Sequence, residues 1–262
     1  MDALDLIRAR VRACEAEGVA ILCCPEAILG GLADQIADPA RLAISARTGQ
    51  LEAVLAPFAS EVTTTIVGFT ERGEDGCLYN AAAVFHRGAV GGVYRKLHPA
   101  IRQSVYRAGC HVPVFRVGAL TFGIVICNDS NFPELANQMA SRGATVLFVP
   151  SNNALSPQTG GAAIVAEARR VDVATAIANR MWVIRADVAG QTGELTSHGS
   201  SAIVDPKGTL VRTAVALSED VIAATIEVTS RVAAGDDTPA EQSTRSIAAR
   251  PPSHSRKRGY RR

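Results

Sequence analysis

The chain has 262 residues, 47% hydrophobic and 20% charged, with a formal net charge of +2. This is the composition of an ordinary globular protein long enough for a sizeable core, and the near-neutral balance argues against a general nucleic-acid role for its body. No apolar run approaches the ~20 residues that span a bilayer, and six cysteines without CxxC or Cys/His spacing point to free thiols rather than to zinc.

The first pattern, Asp5 to Glu17, is helical, with Leu6, Ile7, Val11 and Cys14 on one face and Gly18 as its stop. It lacks the apolar core of a signal peptide, so the expected location is cytoplasmic. Val19 to Cys24 is a strand without a polar residue, which implies burial on both faces. Glu26 follows it. A carboxylate there is either a paired structural group at a loop mouth or a proton carrier held in a cleft. Gly30, Gly31, Asp38 and Pro39 mark a loop, and a helical stretch reaches about Ser60, broken near Thr48-Gly49. Thr63 to Phe69 is a strand. Tyr79 to His86 and Val90 to Arg95 read as a hairpin turning at Arg87-Gly88 and delivering Lys96. A lysine at a strand end usually reaches for water, but Lys96 lies between an apolar strand and the Leu97-His98-Pro99 turn, where its position can be fixed. His98 and His111 belong to no catalytic constellation.

Val114 to Val117 and Leu120 to Ile126 form the next hairpin, which ends at Cys127. Asn128 to Asn131 are turn formers, and Pro133 begins a helix that runs to Ser141. A cysteine between a strand and a helix N-terminus is either a small buried hydrophobe or a thiol whose acidity the helix dipole increases. Ala144 to Val149 is a strand followed by the polar loop Pro150 to Asn153. Ile164 to Asn179 is a helix and Met181 to Ala186 a strand. Ser200 to Val204 and Thr209 to Arg212 pair around Asp205-Pro206-Lys207-Gly208, and Val221 to Val228 is the last strand. These elements make one domain, 1–228. The tail, 229–262, carries Pro, Gly, Ser and Arg, with Arg256, Lys257, Arg258, Arg261 and Arg262 around Tyr260. It reads as a partly disordered, solvated end, which argues against nucleic-acid binding.

Three strand ends thus carry Glu26, Lys96 and Cys127. In PEAILGG, YRKLHP and GIVICNDSNFPE these residues resemble the Glu-Lys-Cys triad of the nitrilase superfamily, the carbon–nitrogen hydrolases. VLFVPS at Val146, RADVAG at Arg185 and GSSAIVDPKG at Gly199 extend the resemblance over about Gly18 to Val228. It implies an α/β fold, a four-layer α-β-β-α sandwich of two mostly antiparallel sheets, with no metal and no cofactor. It implies Glu26 as general base, Cys127 as nucleophile, and Lys96 with the Asn128 N–H as oxyanion donors. Gln103 stands near the place of a second glutamate that many relatives carry. Gln103, Asn128 and Asn152 are the candidate substrate-binding or oxyanion residues. Cys127-Asn128-Asp129 is closer to amidase-like branches than to nitrilases, and Asn128 with Asn131 implies a polar pocket. Relatives open with a strand ahead of their first helix, so either the sheet lacks that strand or the sequence begins late. The expected activity is hydrolysis of a small amide or N-carbamoyl compound through a thioester. The alternatives are acyl transfer by the same triad, or a catalytically impaired binding protein on this fold. The expected partners are a small-molecule amide and a second copy, forming a homodimer or higher homo-oligomer through the Pro133 and Ile164 helices, with no membrane.

Overall fold

Alternation along the apolar strands decides where the layers form. The computed structural model describes residues 3–153, 155, 161–228 and 243–245. A first sheet holds β1 (Ile21–Cys23), β2 (Thr64–Arg72), β3 (Leu78–His86) and β4 (Ala89–Arg95) in that order. β1 and β2 are parallel, and the other pairs are antiparallel. Next come β5 (Val114–Val117), β6 (Leu120–Ile124), β7 (Val146–Ser151) and β8 (Trp182–Asp187). A separate hairpin, β9 (Ala189–Thr192) and β10 (Leu195–His198), precedes β11 (Ala202–Val204) and β12 (Leu210–Thr213). The second sheet has the order β12-β11-β8-β7-β6-β5, with β6, β7 and β8 mutually parallel.

On β2, Val67 and Phe69 face one way and join Ile7 and Val11 of α1 (Ala3–Ala16) and Leu51 and Leu55 of α2 (Gln50–Leu55). Ile66, of the opposite parity, joins Ala82, Val84 and Tyr94 in a second core with Phe122, Ile124 and Phe148 of the other sheet. Leu135 and Met139 of α3 (Pro133–Ser141) and Ala176 of α4 (Gly161–Asn179) complete that core. The result is the expected order of helix, sheet, sheet, helix, and the period of two in the strands produces it.

The topology also collects strand ends. β4 lies two antiparallel steps from β2, so it runs in the same direction as β1 and β2. Glu26 after β1 and Lys96 after β4 therefore leave one rim of the first sheet. Cys127 after β6, Asn152 and Asn153 after β7, and Arg185 to Asp187 at the end of β8 leave one rim of the second.

Several elements differ from expectation. The helical stretch toward Ser60 is only α2, flanked by single turns at Pro39–Leu42 and Ala56–Phe58, where Pro39 and Pro57 interrupt a longer helix. α4 begins earlier, at Gly161. β6 stops at Ile124 because the Ile126 N–H turns to the Asp129 side chain, although the Val125 N–H still reaches Phe148 O at 3.0 Å. The expected last strand from Val221 is confined to β13 (Ile226–Val228). It pairs with β14 (Ser243–Arg245), a strand within the stretch that showed no pattern. The rest of the tail, including the basic cluster from Arg256, lies outside the described residues. Among the described residues no helix is long and apolar enough to cross a membrane, and no cluster of His, Cys, Asp and Glu could hold a metal ion.

Candidate active site

Glu26 is delivered by a segment that crosses β2 closely. A Cβ on Gly68 would lie 2.5 Å from both Ala27 N and Pro25 O, so only glycine lets the segment rest there. The Leu29 N–H fixes the crossing by donating to Gly68 O at 3.1 Å. Glu26 is 1% exposed. Its Oε1 accepts from Lys96 Nζ and Asn80 Nδ2, each at 2.7 Å, and its Oε2 from the Asn152 N–H at 2.9 Å. Every part of a buried carboxylate is thereby partnered.

Lys96 faces inward by strand parity. Its neighbour Arg95 points the other way, donates to both Glu71 oxygens at 2.7 and 2.8 Å, and covers the Tyr79 ring at 4.0 Å. Burial works to lower the Lys96 ammonium. The Glu26 charge, with Cys127, the Glu26 hydrogen bond and Asp129, outweighs it and raises the group above its ordinary range, so Lys96 is a cation.

The turn at Cys127 is backbone-strained, with φ 47° at a non-glycine residue. Two anchors hold it. Ser130 donates its hydroxyl to Cys127 O at 2.8 Å. Buried Asp129 accepts from the Leu97 and His98 N–H groups at 3.2 and 2.7 Å through Oδ1, and from Tyr94 OH and the Ile126 N–H at 2.7 and 3.2 Å through Oδ2. Asp129 thus ties the loop carrying Lys96 to the turn carrying the thiol. Behind the turn, Arg185 is buried and bidentate to Asp172 of α4, at 2.7 and 2.6 Å. It also reaches Ser151 Oγ at 2.6 Å and Ser130 Oγ at 3.2 Å.

The surroundings of the thiol oppose the acidifying effect of a helix N-terminus: burial first and the Glu26 charge second push Cys127 up to about 12. Lys96, Arg185 and the Asn152 N–H pull in the opposite direction and are outweighed. Burial and the Glu26 charge both favour the S–H form of the resting group. Its Sγ donates to Asn153 Oδ1 at 3.7 Å.

The structure therefore brings Glu26, Lys96, Cys127 and Asn152 together, with Asn152 contributing its backbone N–H while its side chain accepts from Ser197 of β10 at 3.1 Å. Asn128 is beside the thiol, its amide donating to His98 O at 3.0 Å. Gln103 is not brought in. It stands exposed in a turn and makes no side-chain hydrogen bond among the described residues. Sequence reasoning passed over Asn80, Asn153, Asp172 and Asp187. A polar residue at an inward position of an apolar strand was the available signal for Asn80, which shares a face with Ala82 and Val84.

With the geometry established, comparison with known proteins gives consistent findings. The carbon–nitrogen hydrolase family pattern matches residues 2–234. The chain is 29% identical over 182 residues to a nitrilase of Pyrococcus abyssi, covering 69% of this chain and 66% of that one. It is 35% identical over 163 residues to the deaminated glutathione amidase of Mus musculus, covering 55% of this chain and 48% of that one. The matches thus span about half to two thirds of these relatives' lengths. The structure of Saccharomyces cerevisiae Nit3, a member of branch 10 of the nitrilase superfamily, superposes with a TM-score of 0.70 at 22% identity, over 81% of this chain and 80% of that one.

Proposed function

The chain belongs to the carbon–nitrogen hydrolase family, and from that premise we propose that it hydrolyses a non-peptide carbon–nitrogen bond in a small amide or N-carbamoyl compound through a cysteine thioester. The observation that carries this reading is the buried Lys96–Glu26 pair at 2.7 Å, whose charges both act on the Cys127 thiol. Relatives with amidase names, such as the mouse protein and an N-carbamoylputrescine amidase of Solanum tuberosum, support an amide substrate, beside the relative named a nitrilase.

The chemistry follows from the protonation states. Burial and the Glu26 charge favour the thiol form of Cys127, so its attack needs a base to remove the proton. Glu26 takes the proton as sulfur bonds to the carbonyl carbon. The carbonyl π electrons move to oxygen, where Lys96 Nζ and the Asn128 N–H stabilise the charge. Collapse of the tetrahedral intermediate breaks the C–N bond as Glu26 passes its proton to the departing nitrogen. Water then attacks the thioester, Glu26 accepts the water proton, and the returning S–H completes the cycle with release of a carboxylic or carbamic acid. In this scheme the strained turn at Cys127 and the Asp129 hydrogen bonds hold nucleophile and oxyanion donors in fixed relation, so little reorganisation accompanies reaction.

Ammonia or amine release from a panel of small amides and carbamoyl compounds, with Cys127→Ala as the blank, tests the proposal. Cys127-dependent release is expected. Release unchanged in Cys127→Ala, or none from any member, rejects it.

A further inference from the structure

The Asn153 amide beside the thiol has an orientation that its surroundings dictate. Its Nδ2 donates to Asp187 Oδ2 at 3.2 Å, and its backbone N–H to Asp187 Oδ1 at 3.4 Å. Asp187 is 5% exposed and is itself held by the Ser200 N–H and hydroxyl at 2.8 and 2.6 Å, both to Oδ2. A carboxylate accepts and does not donate, so the NH₂ end of Asn153 must face Asp187. The carbonyl end must then face Cys127, with Oδ1 3.7 Å from Sγ.

That orientation matters for any group bonded to sulfur. A carbon attacked by Cys127 carries an oxygen, a nitrogen and its acyl substituent. The oxygen becomes negative and goes to the donors, Lys96 and the Asn128 N–H. Asn153 Oδ1 is an acceptor and would repel it. A nitrogen bearing hydrogen is the reacting substituent that an acceptor attracts. Glu26, the other acceptor at the site, is bonded through Oε2 to the N–H of Asn152, the residue immediately before Asn153. The end of β7 therefore carries one acceptor, Asn153 Oδ1, and binds the other, Glu26, through the N–H of Asn152.

We propose that Asn153 is a specificity-determining residue that accepts an N–H of the scissile amide nitrogen, and that Asp187 is the positioning residue that turns the Asn153 carbonyl toward it. The substrate class is thereby narrowed to amides and carbamoyl compounds that keep at least one hydrogen on that nitrogen, with the unsubstituted NH₂ group the best match. This rests on the hydrolase reading above. A contact built for an N–H discriminates against analogues without one, because the acceptor is then left unpaired.

The test compares primary amides with the methyl esters of the same acyl groups (acetyl, propanoyl and benzoyl). Both form the same thioester, but the ester has no N–H. In Asn153→Leu the ratio of amide to ester kcat/KM should fall by about tenfold to a hundredfold, on the scale of one lost hydrogen bond in a partly buried site. Asp187→Leu should lower the ratio similarly, and Asp187→Asn, which still offers Nδ2 a carbonyl oxygen, should largely restore it. Asn153→Ala replaces the leucine variant if that folds poorly. Amide and ester rates falling by equal factors would mean a structural role only and would overturn the proposal. If the parent turns over none of these compounds, the hydrolase reading has failed for them. The contact is then read from protection of Cys127 against iodoacetamide by benzamide compared with methyl benzoate, with exposed Cys110 as the internal reference. Loss of the amide preference in Asn153→Leu supports the contact, and an unchanged preference overturns it.

Discussion

Glu26→Gln should separate two effects of one carboxylate. In the parent, the Glu26 charge is second only to burial in holding the Cys127 thiol up at about 12, while Lys96, Arg185 and the Asn152 N–H pull it down. Glutamine keeps the shape and a carbonyl oxygen for Lys96 and Asn80, and it removes the charge. The Lys96 cation, no longer neutralised, then acts on sulfur alone, and the thiol becomes more acidic. Each unit of fall gives about tenfold more thiolate at neutral pH, or ~1.4 kcal/mol. Alkylation of Cys127 by iodoacetamide should therefore accelerate by about that factor per unit. Amide turnover should move the other way, falling by about 10²–10⁴, because the proton of the thiol and that of the leaving group lose their carrier. The new NH₂ faces the Asn152 N–H where Oε2 accepted it at 2.9 Å. One unmade buried hydrogen bond should lower stability by about 1–3 kcal/mol. The assay is peptide mapping of alkylation against time, with Cys110 as reference, beside amide turnover. In the parent, Cys127 labelling should also climb about tenfold per pH unit from neutrality toward the thiol value of about 12. If alkylation and turnover fell together in the variant, Glu26 would not be acting on the thiol as argued.

Lys96→Met should lower kcat by about 10²–10³, as for loss of one oxyanion donor, with a folded circular dichroism spectrum as control. Arg185→Met leaves Asp172 buried without its bidentate partner and should cost about 3–5 kcal/mol of stability. The apolar double variant Arg185→Met/Asp172→Leu should recover most of that in urea unfolding, and equal losses in both would deny the coupling. Gly68→Ala puts a Cβ 2.5 Å from the backbone that carries Glu26. It should reduce stability by about 1–3 kcal/mol and reduce turnover more than the same loss placed elsewhere. Self-association should run through α4, which exposes Ile177 at 53% together with Ala162, Ala166, Ala174 and Ala178. Sedimentation should show a dimer or larger species that Ile177→Glu shifts toward monomer, and a parent that is monomeric at micromolar concentration would refute this.

The strand ends at Glu26, Lys96 and Cys127 were legible from local pattern, whereas the four layers came from the family resemblance those residues carry. β2 and β3 are buried on both faces, and an apolar strand that gives way to Glu26, Lys96 or Cys127 announces its end in the sequence. The thiol's acidity was not legible. It depends on how deeply the turn is buried and on a charge delivered from Glu26, 101 positions away in the chain. The Asp187 to Asn153 contact likewise joins the ends of two different strands and leaves no spacing signature. The β9–β10 hairpin was missed because AGQTGELTSH has no apolar alternation, yet Ser197 within it fixes the side chain of Asn152. Gln103 stands near the place of the relatives' second glutamate in the sequence, but the chain between Lys96 and Gln103 turns outward into solvent.

The proposed cycle requires that an acyl group be carried on Cys127. Protein quenched in acid during steady-state turnover of an active amide, then mapped by mass spectrometry, tests it most directly. An acyl increment is expected on the peptide containing Cys127, discharged by hydroxylamine and absent from Cys127→Ala, which should not turn over. Turnover that persists in Cys127→Ala, or an acyl increment confined to another cysteine, would contradict it.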